Sequence, residues 1–210
     1  MKLATKAAFH LVLSSLSVFL ILTGTADAHH VMGGQMPSTF SQGLLSGLAH
    51  PVIGFDHLAA LVAVGLIASR FPRGLLLPIV FVAAVMGGVA MHLRAADLPY
   101  SETLVGVSVV LLGAAVLLRA SIAVPLVVAL FAAAGFLHGY ALAESIVGAE
   151  PSPLAAYLLG LLLLHGAISV GVLLAARAML DKLPRAVPQA AALLICLVGC
   201  GAVLSSFLAT

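Results

Sequence analysis

Six apolar runs of about 18 to 25 residues follow one another from position 51 almost to the last residue, and nothing else in the chain narrows its possible folds so far. A hydrocarbon core of roughly 30 Å is crossed by about 20 residues of helix. Runs of that length without period-two alternation exclude the strands of a barrel. They fall at about 51 to 69, 74 to 93, 103 to 119, 122 to 145, 153 to 176 and 188 to 208. The 63% share of hydrophobic residues agrees, because soluble domains hold roughly 45–50%. The chain therefore reads as an all-α integral membrane protein, a bundle of six transmembrane helices forming a single domain over 29–210.

Residues 1–28 read as a cleavable signal peptide. Lys2 and Lys6 form a basic start, an apolar run covers 11–22, and Ala26-Asp27-Ala28 supplies the small-residue cleavage pattern. The mature chain would begin His29-His30, which offers an α-amine and two imidazoles to a metal. Residues 31–46, with Gly33, Gly34, Pro37 and several Ser, Thr and Gln, read as an external loop or a short surface helix.

Charge orients the bundle. Arg70, Arg73, Arg119, Arg177, Lys182 and Arg185 all fall in connections on one side, whereas the opposite connections hold Arg94 with Asp97, Glu102, Glu144 and Glu150. By the positive-inside rule the basic side is cytoplasmic. This places the chain in a bacterial inner membrane as a multi-pass protein with both mature termini periplasmic. Gly43/Gly47, Gly87-Gly88 and Gly135/Gly139 are spaced for close helix packing.

Several function classes drop out. A net charge of +2 without a Lys/Arg-rich tract gives no footprint for nucleic acid. No GxxxxGK[ST] loop is present, so the chain offers no ATPase of its own, and no ATPase subunit is evident as a partner. Cys196 and Cys200, four apart in the last run, read as small core residues. Whether the chain forms a homo-oligomer stays open.

The chemistry concentrates in His50-Pro51-Val52-Ile53-Gly54-Phe55-Asp56-His57 at the head of the first run. A charged Asp in hydrocarbon costs about 2.5–3.5 kcal/mol even on the lenient insertion scale, so such a residue points to function. Pro51 suits a first helical position, which would make His50 a helix cap and put Asp56 and His57 in the second turn. Along an unbroken helix His50 and His57 stand about 10 Å apart, too far to share an ion. Either Gly54 marks a bend or the residues form two successive stations. Asp56 and His57 point about 100° apart, so one can ligate while the other orients a ligand.

Depth gathers the remaining polar residues. His92 falls near the outer end of its segment, Glu144 at the outer rim, His138 about two turns deeper and His165 near mid-membrane. Together with His50, Asp56 and His57 they form one cluster reached from outside, although His92 taken alone reads more simply as a hydrogen-bonded core residue. Imidazoles with few carboxylates and no pair of thiolates suit Ni²⁺, Co²⁺ or Zn²⁺ rather than Ca²⁺ or Mg²⁺. Met32, Met86 and Met91 read as filler. No prosthetic group is expected, and the bound metal would be the substrate.

The run HPVIGFDH at His50 to His57 resembles the signature of the HupE/UreJ family of nickel permeases. His138-Gly139-Tyr140-Ala141-Leu142-Ala143-Glu144 and Leu164-His165-Gly166 are similar to its other polar motifs. The resemblance covers essentially the mature chain. It implies nickel uptake carried by His50, Asp56 and His57, with cobalt as the alternative ion for some members. The expected function is a secondary transporter or facilitator importing Ni²⁺ first and Co²⁺ next, not an enzyme. Its rivals are an intramembrane zinc hydrolase built on His57, His138, His165 and Asp56, and a membrane metal sensor or metalloenzyme assembly factor.

Overall fold

Proline and glycine punctuate the apolar sequence, and helices form between them. The computed structural model describes residues 35–118, 122–179, 182, 184 and 186–208. The expected signal peptide, His29, His30, Met32, Arg119 and Arg185 lie outside them. Among the described residues the elements are α1 (Phe40–Ile53), α2 (Phe55–Ala68), α3 (Leu77–His92) after a 3₁₀ turn at Gly74–Leu76, α4 (Ser101–Leu117), α5 (Val124–Leu142) running into a 3₁₀ turn at Ala143–Ile146, α6 (Pro151–Met179) and α7 (Ala186–Leu208). Among the described residues the fold is all-helical; the first apolar run is divided between α1 and α2 at Gly54, and each of the other five lies largely on one helix.

Length and composition qualify four stretches to cross a membrane: Gly74–His92, Val124–Ile146, Pro151–Met179 and Ala186–Leu208. The α1–α2 pair, bent by 78°, makes a fifth if it counts as one span, and α4 is a shorter apolar helix. The protein is a multi-pass membrane protein.

The start of the first helix departs from expectation. Of the loop and the short surface helix expected here, the chain from Phe40 takes the helix, but one packed into the bundle, because the Thr39 hydroxyl caps the turn by accepting from the Gln42 amide and because Gly43 and Gly47 seat α1 on α6. His50 therefore lies in the last turn of α1 instead of capping a helix, and Asp56 and His57 lie in the first turn of α2. Two local causes break the helix. Pro51 has no N–H to continue the ladder, and Gly54 adopts an extended conformation at φ −74°, ψ 101°. The Gly54 amide still donates to the His50 carbonyl, while the Gly54 carbonyl accepts from Leu58 and starts α2.

Three helix pairs carry the bundle, each joined where missing Cβ atoms let backbones touch. Gly43 meets the backbone of Pro153, Gly47 that of Tyr157, and Gly160 that of Leu44 and Gly47, so α1 runs parallel to α6. Farther along, Gly65 of α2 meets Ser169 and Val172 in the same direction. Gly135 and Gly139 of α5 press on the Phe81 and Val85 carbonyls of α3, again parallel, and Gly88 presses on Phe136. Gly106 and Gly113 of α4 face Gly199 and Cys196 of α7, antiparallel.

Between the pairs runs α2, apolar all round and buried accordingly; Ala60, Leu61, Ala63, Val64, Ile67 and Ala68 are essentially inaccessible. At its C-terminal end Arg70 donates to the Ala115 and Val116 carbonyls of α4, and Arg177 of α6 donates to the carbonyls of Phe71 and Pro72. These arginines satisfy helix-end acceptors at one end of the bundle. Asp56 and His57 stand at the opposite end of α2.

Candidate metal-ion site

The break at Gly54 brings together what a straight helix would separate. His50 and His57 have ring centroids 6.1 Å apart, edge to face, instead of about 10 Å along an unbroken axis. The bend is therefore the explanation for the motif's spacing. Both side chains are buried, as is Asp56. One Asp56 carboxylate oxygen accepts from the His57 amide at 2.9 Å, in the first turn, where the exposed N–H groups of α2 favour a negative charge.

From His57 the polar groups continue inward as a string of rings. His57 and His138 have centroids 4.8 Å apart, with the two Nδ1 atoms facing each other at 2.6 Å. The Phe81 ring lies 6.0 Å from His138 and stacks on His165 at 6.3 Å and 26°. His165 donates from Nδ1 to the Leu161 carbonyl at 2.7 Å, while Ser169 donates to the His165 carbonyl. At the other end of the string His50 faces Tyr157 at 6.5 Å and reaches the Ser145 hydroxyl at 3.2 Å from Nδ1. Tyr157 in turn donates to the Leu142 carbonyl at 2.6 Å, tying α6 to the end of α5.

The other expected ligands stand apart from this string. His92 donates from Nδ1 to the Tyr140 carbonyl at 2.8 Å and packs on the Tyr140 ring at 4.3 Å. Tyr140 also closes the α3–α4 connection, its hydroxyl accepting from the Leu98 amide and donating to the Ala96 carbonyl. Glu144 is exposed in the 3₁₀ turn after α5.

Among the described residues no three of His, Cys, Asp and Glu converge closely enough to hold a metal ion. Distances explain why. Two imidazole nitrogens on one ion, each at about 2.05 Å, stand about 2.9 Å apart at right angles and about 3.3 Å apart at the tetrahedral angle. At 2.6 Å the His57 and His138 nitrogens are hydrogen-bonded to each other, closer than two ligands of one ion would stand. His165, by contrast, has the arrangement usual for a ligating histidine, with Nδ1–H fixed on a backbone carbonyl and Nε2 left for the metal.

Sequence reasoning missed Ser108, Ser145, Tyr157 and Phe81. A lone serine at 108 inside an apolar run was the available signal for the first of these. Phe81 carried none, because an aromatic residue in an apolar helix reads as core.

The HupE / UreJ protein family matches residues 17–203. Protein HupE of Rhizobium leguminosarum bv. viciae is 32% identical over 102 residues, which is 48% of this chain and 53% of that protein. The chain thus spans about half the length of the relative it matches. No solved structure matches it.

Proposed function

This chain belongs to the HupE / UreJ family, and from that premise we propose that it carries a divalent transition-metal cation, Ni²⁺ first and Co²⁺ next, across the bacterial inner membrane into the cytoplasm. The observation that carries the proposal is the string of buried imidazoles from His50 through His57 and His138 to His165. Histidines in a membrane interior are costly, and a line of them suits an ion path better than a packed core. Conduction needs stations that bind well enough to be entered and weakly enough to be left. Imidazoles met in succession, each completed by water or backbone oxygen, meet that need better than a closed cage of three or four ligands.

Direction and energy follow from the topology we propose. The parallel pairing of α1–α2 with α6 and of α3 with α5, and the antiparallel pairing of α4 with α7, are those of a chain crossing six times in alternation. Arg70 and Arg177 lie at the cytoplasmic end under the positive-inside rule, so the His50 end is periplasmic. An inside-negative potential then favours entry of a double charge by about 4.6 kcal/mol per 100 mV. Glu144, exposed in the turn after α5, would meet the ion first.

Metal accumulation in nickel-starved bacterial cells expressing the chain tests the reading. Cells with the wild type gain Ni²⁺ or Co²⁺ over cells with His57→Ala at matched membrane expression. Equal accumulation in the two strains would refute it.

A further inference from the structure

We propose that Ser108 is a positioning residue which, acting through His138, fixes the proton of His57 on Nδ1 and so presents the His57 Nε2 lone pair to the cation; this rests on the transport reading above. The chain of hydrogen bonds permits one assignment. The Ser108 hydroxyl donates to the Val105 carbonyl one turn back in α4, at 2.7 Å. A hydroxyl has one proton, so towards His138 Nε2 at 3.1 Å Ser108 can only accept. His138 Nε2 therefore carries the hydrogen, and its Nδ1, in the neutral ring, is a lone pair. Two lone pairs do not face each other at 2.6 Å, so His57 Nδ1 is the donor in that pair. Its Nε2 is then the basic nitrogen, and it takes no hydrogen bond from the described residues.

The reverse order is worse. If Ser108 donated to His138 Nε2, His138 Nδ1 would donate to His57. Ser108 would then give up its shorter bond, to the Val105 carbonyl at 2.7 Å, for the longer one at 3.1 Å. The forward order keeps both and gives His57 the arrangement of a metal-binding histidine, one nitrogen donating to a fixed acceptor and the other open. His165 reaches the same state by a shorter route, through the Leu161 carbonyl. Both ends of the inner string thus offer Nε2, while His138, with both nitrogens occupied, orients rather than ligates. No pattern of spacing reveals this, because Ser108, His138 and His57 come from α4, α5 and α2.

The test uses the full protein in lipid nanodiscs with ¹⁵N-labelled histidine, comparing wild type, Ser108→Ala and Ser108→Thr. In the wild type the His57 resonances show a protonated Nδ1 and a bare Nε2. Ser108→Ala mixes the two tautomers and raises the Ni²⁺ concentration for half-maximal uptake about 10-fold, with the maximal rate little changed. Ser108→Thr, which keeps the hydroxyl and its bond to the preceding turn, restores both. A wild-type His57 protonated on Nε2, or Ser108→Ala with unchanged tautomer and unchanged half-saturation, overturns the proposal while wild-type uptake leaves the transport reading standing. A wild type that shows the expected tautomers but takes up no Ni²⁺ overturns the transport reading instead, and with it the role given to Nε2.

Discussion

Replacing Gly54 by alanine should damage ion handling while leaving the fold almost untouched. The backbone there, at φ −74° and ψ 101°, is open to any residue, so alanine introduces no strain. By restricting the unfolded chain it adds about 0.4–1 kcal/mol of stability. Its Cβ, however, would lie 2.7 Å from Cδ2 of the His57 ring and 3.2 Å from an Asp56 carboxylate oxygen. Carbon atoms rest about 3.5–4.0 Å apart, so the ring edge has to move by at least about 0.8 Å. The His57–His138 contact is already 2.6 Å. Movement towards His138 produces overlap. Movement away stretches the contact to about 3.4 Å, beyond the range of roughly 2.7–3.2 Å for such a bond. Loss of a hydrogen bond worth about 1 kcal/mol corresponds to about a fivefold change in an equilibrium. Gly54→Ala should therefore raise the half-saturating Ni²⁺ concentration about fivefold or more, with a thermal midpoint close to that of the wild type in detergent. Unchanged half-saturation in a folded variant would refute the placement of His57 on the ion path.

Other substitutions separate packing from chemistry. Gly139→Ala would drive its Cβ into the Val85 carbonyl oxygen and force α3 and α5 apart, costing about 1–3 kcal/mol or more, whereas Gly166→Ala, with nothing within 4 Å, should be neutral; thermal melting of the two in detergent checks this. Tyr140→Phe removes the two bonds that hold the α3–α4 connection, to Leu98 and Ala96, so about 1–3 kcal/mol of local protection should disappear from residues 93–100 in hydrogen exchange. A metal binds the neutral imidazole and competes with the proton for it, so uptake should fall as pH is lowered. Uptake measured from pH 4 to 7.5 tests this, and uptake that rises as pH falls contradicts imidazole ligation.

Much of the fold was legible because a membrane imposes one length. The apolar runs mark the helices, Pro78, Pro125 and Pro151 mark helix starts, and Gly43, Gly47, Gly88, Gly135 and Gly139 do the packing their spacing suggests. What escaped was set by tertiary contact. The polar residues from Phe40 onward suit a loop or a short surface helix, yet they form a helix packed into the bundle because α6 offers Gly43 and Gly47 a surface. His50 looks like a cap because Pro51 follows it, although the helix begins ten residues earlier.

The candidate site divides in the same way. The dense motif at His50 to His57 declares itself through the cost of burying it, and Gly54 already suggested a bend. The pairing of His57 with His138 joins residues 81 apart in the chain, and nothing local encodes it. His92 and Glu144, grouped with the others by depth alone, turn out to face Tyr140 and the surface, because depth along a helix says nothing about the side on which a residue projects.

The central claim is tested most directly by uptake of radioactive Ni²⁺ and Co²⁺ into proteoliposomes containing only this protein, under an imposed inside-negative potential, with Asp56→Asn and His57→Ala alongside. Potential-driven uptake by the wild type, lost in both variants, is the expected result. A folded wild type that binds the metal stoichiometrically yet moves none of it across the bilayer would contradict the claim.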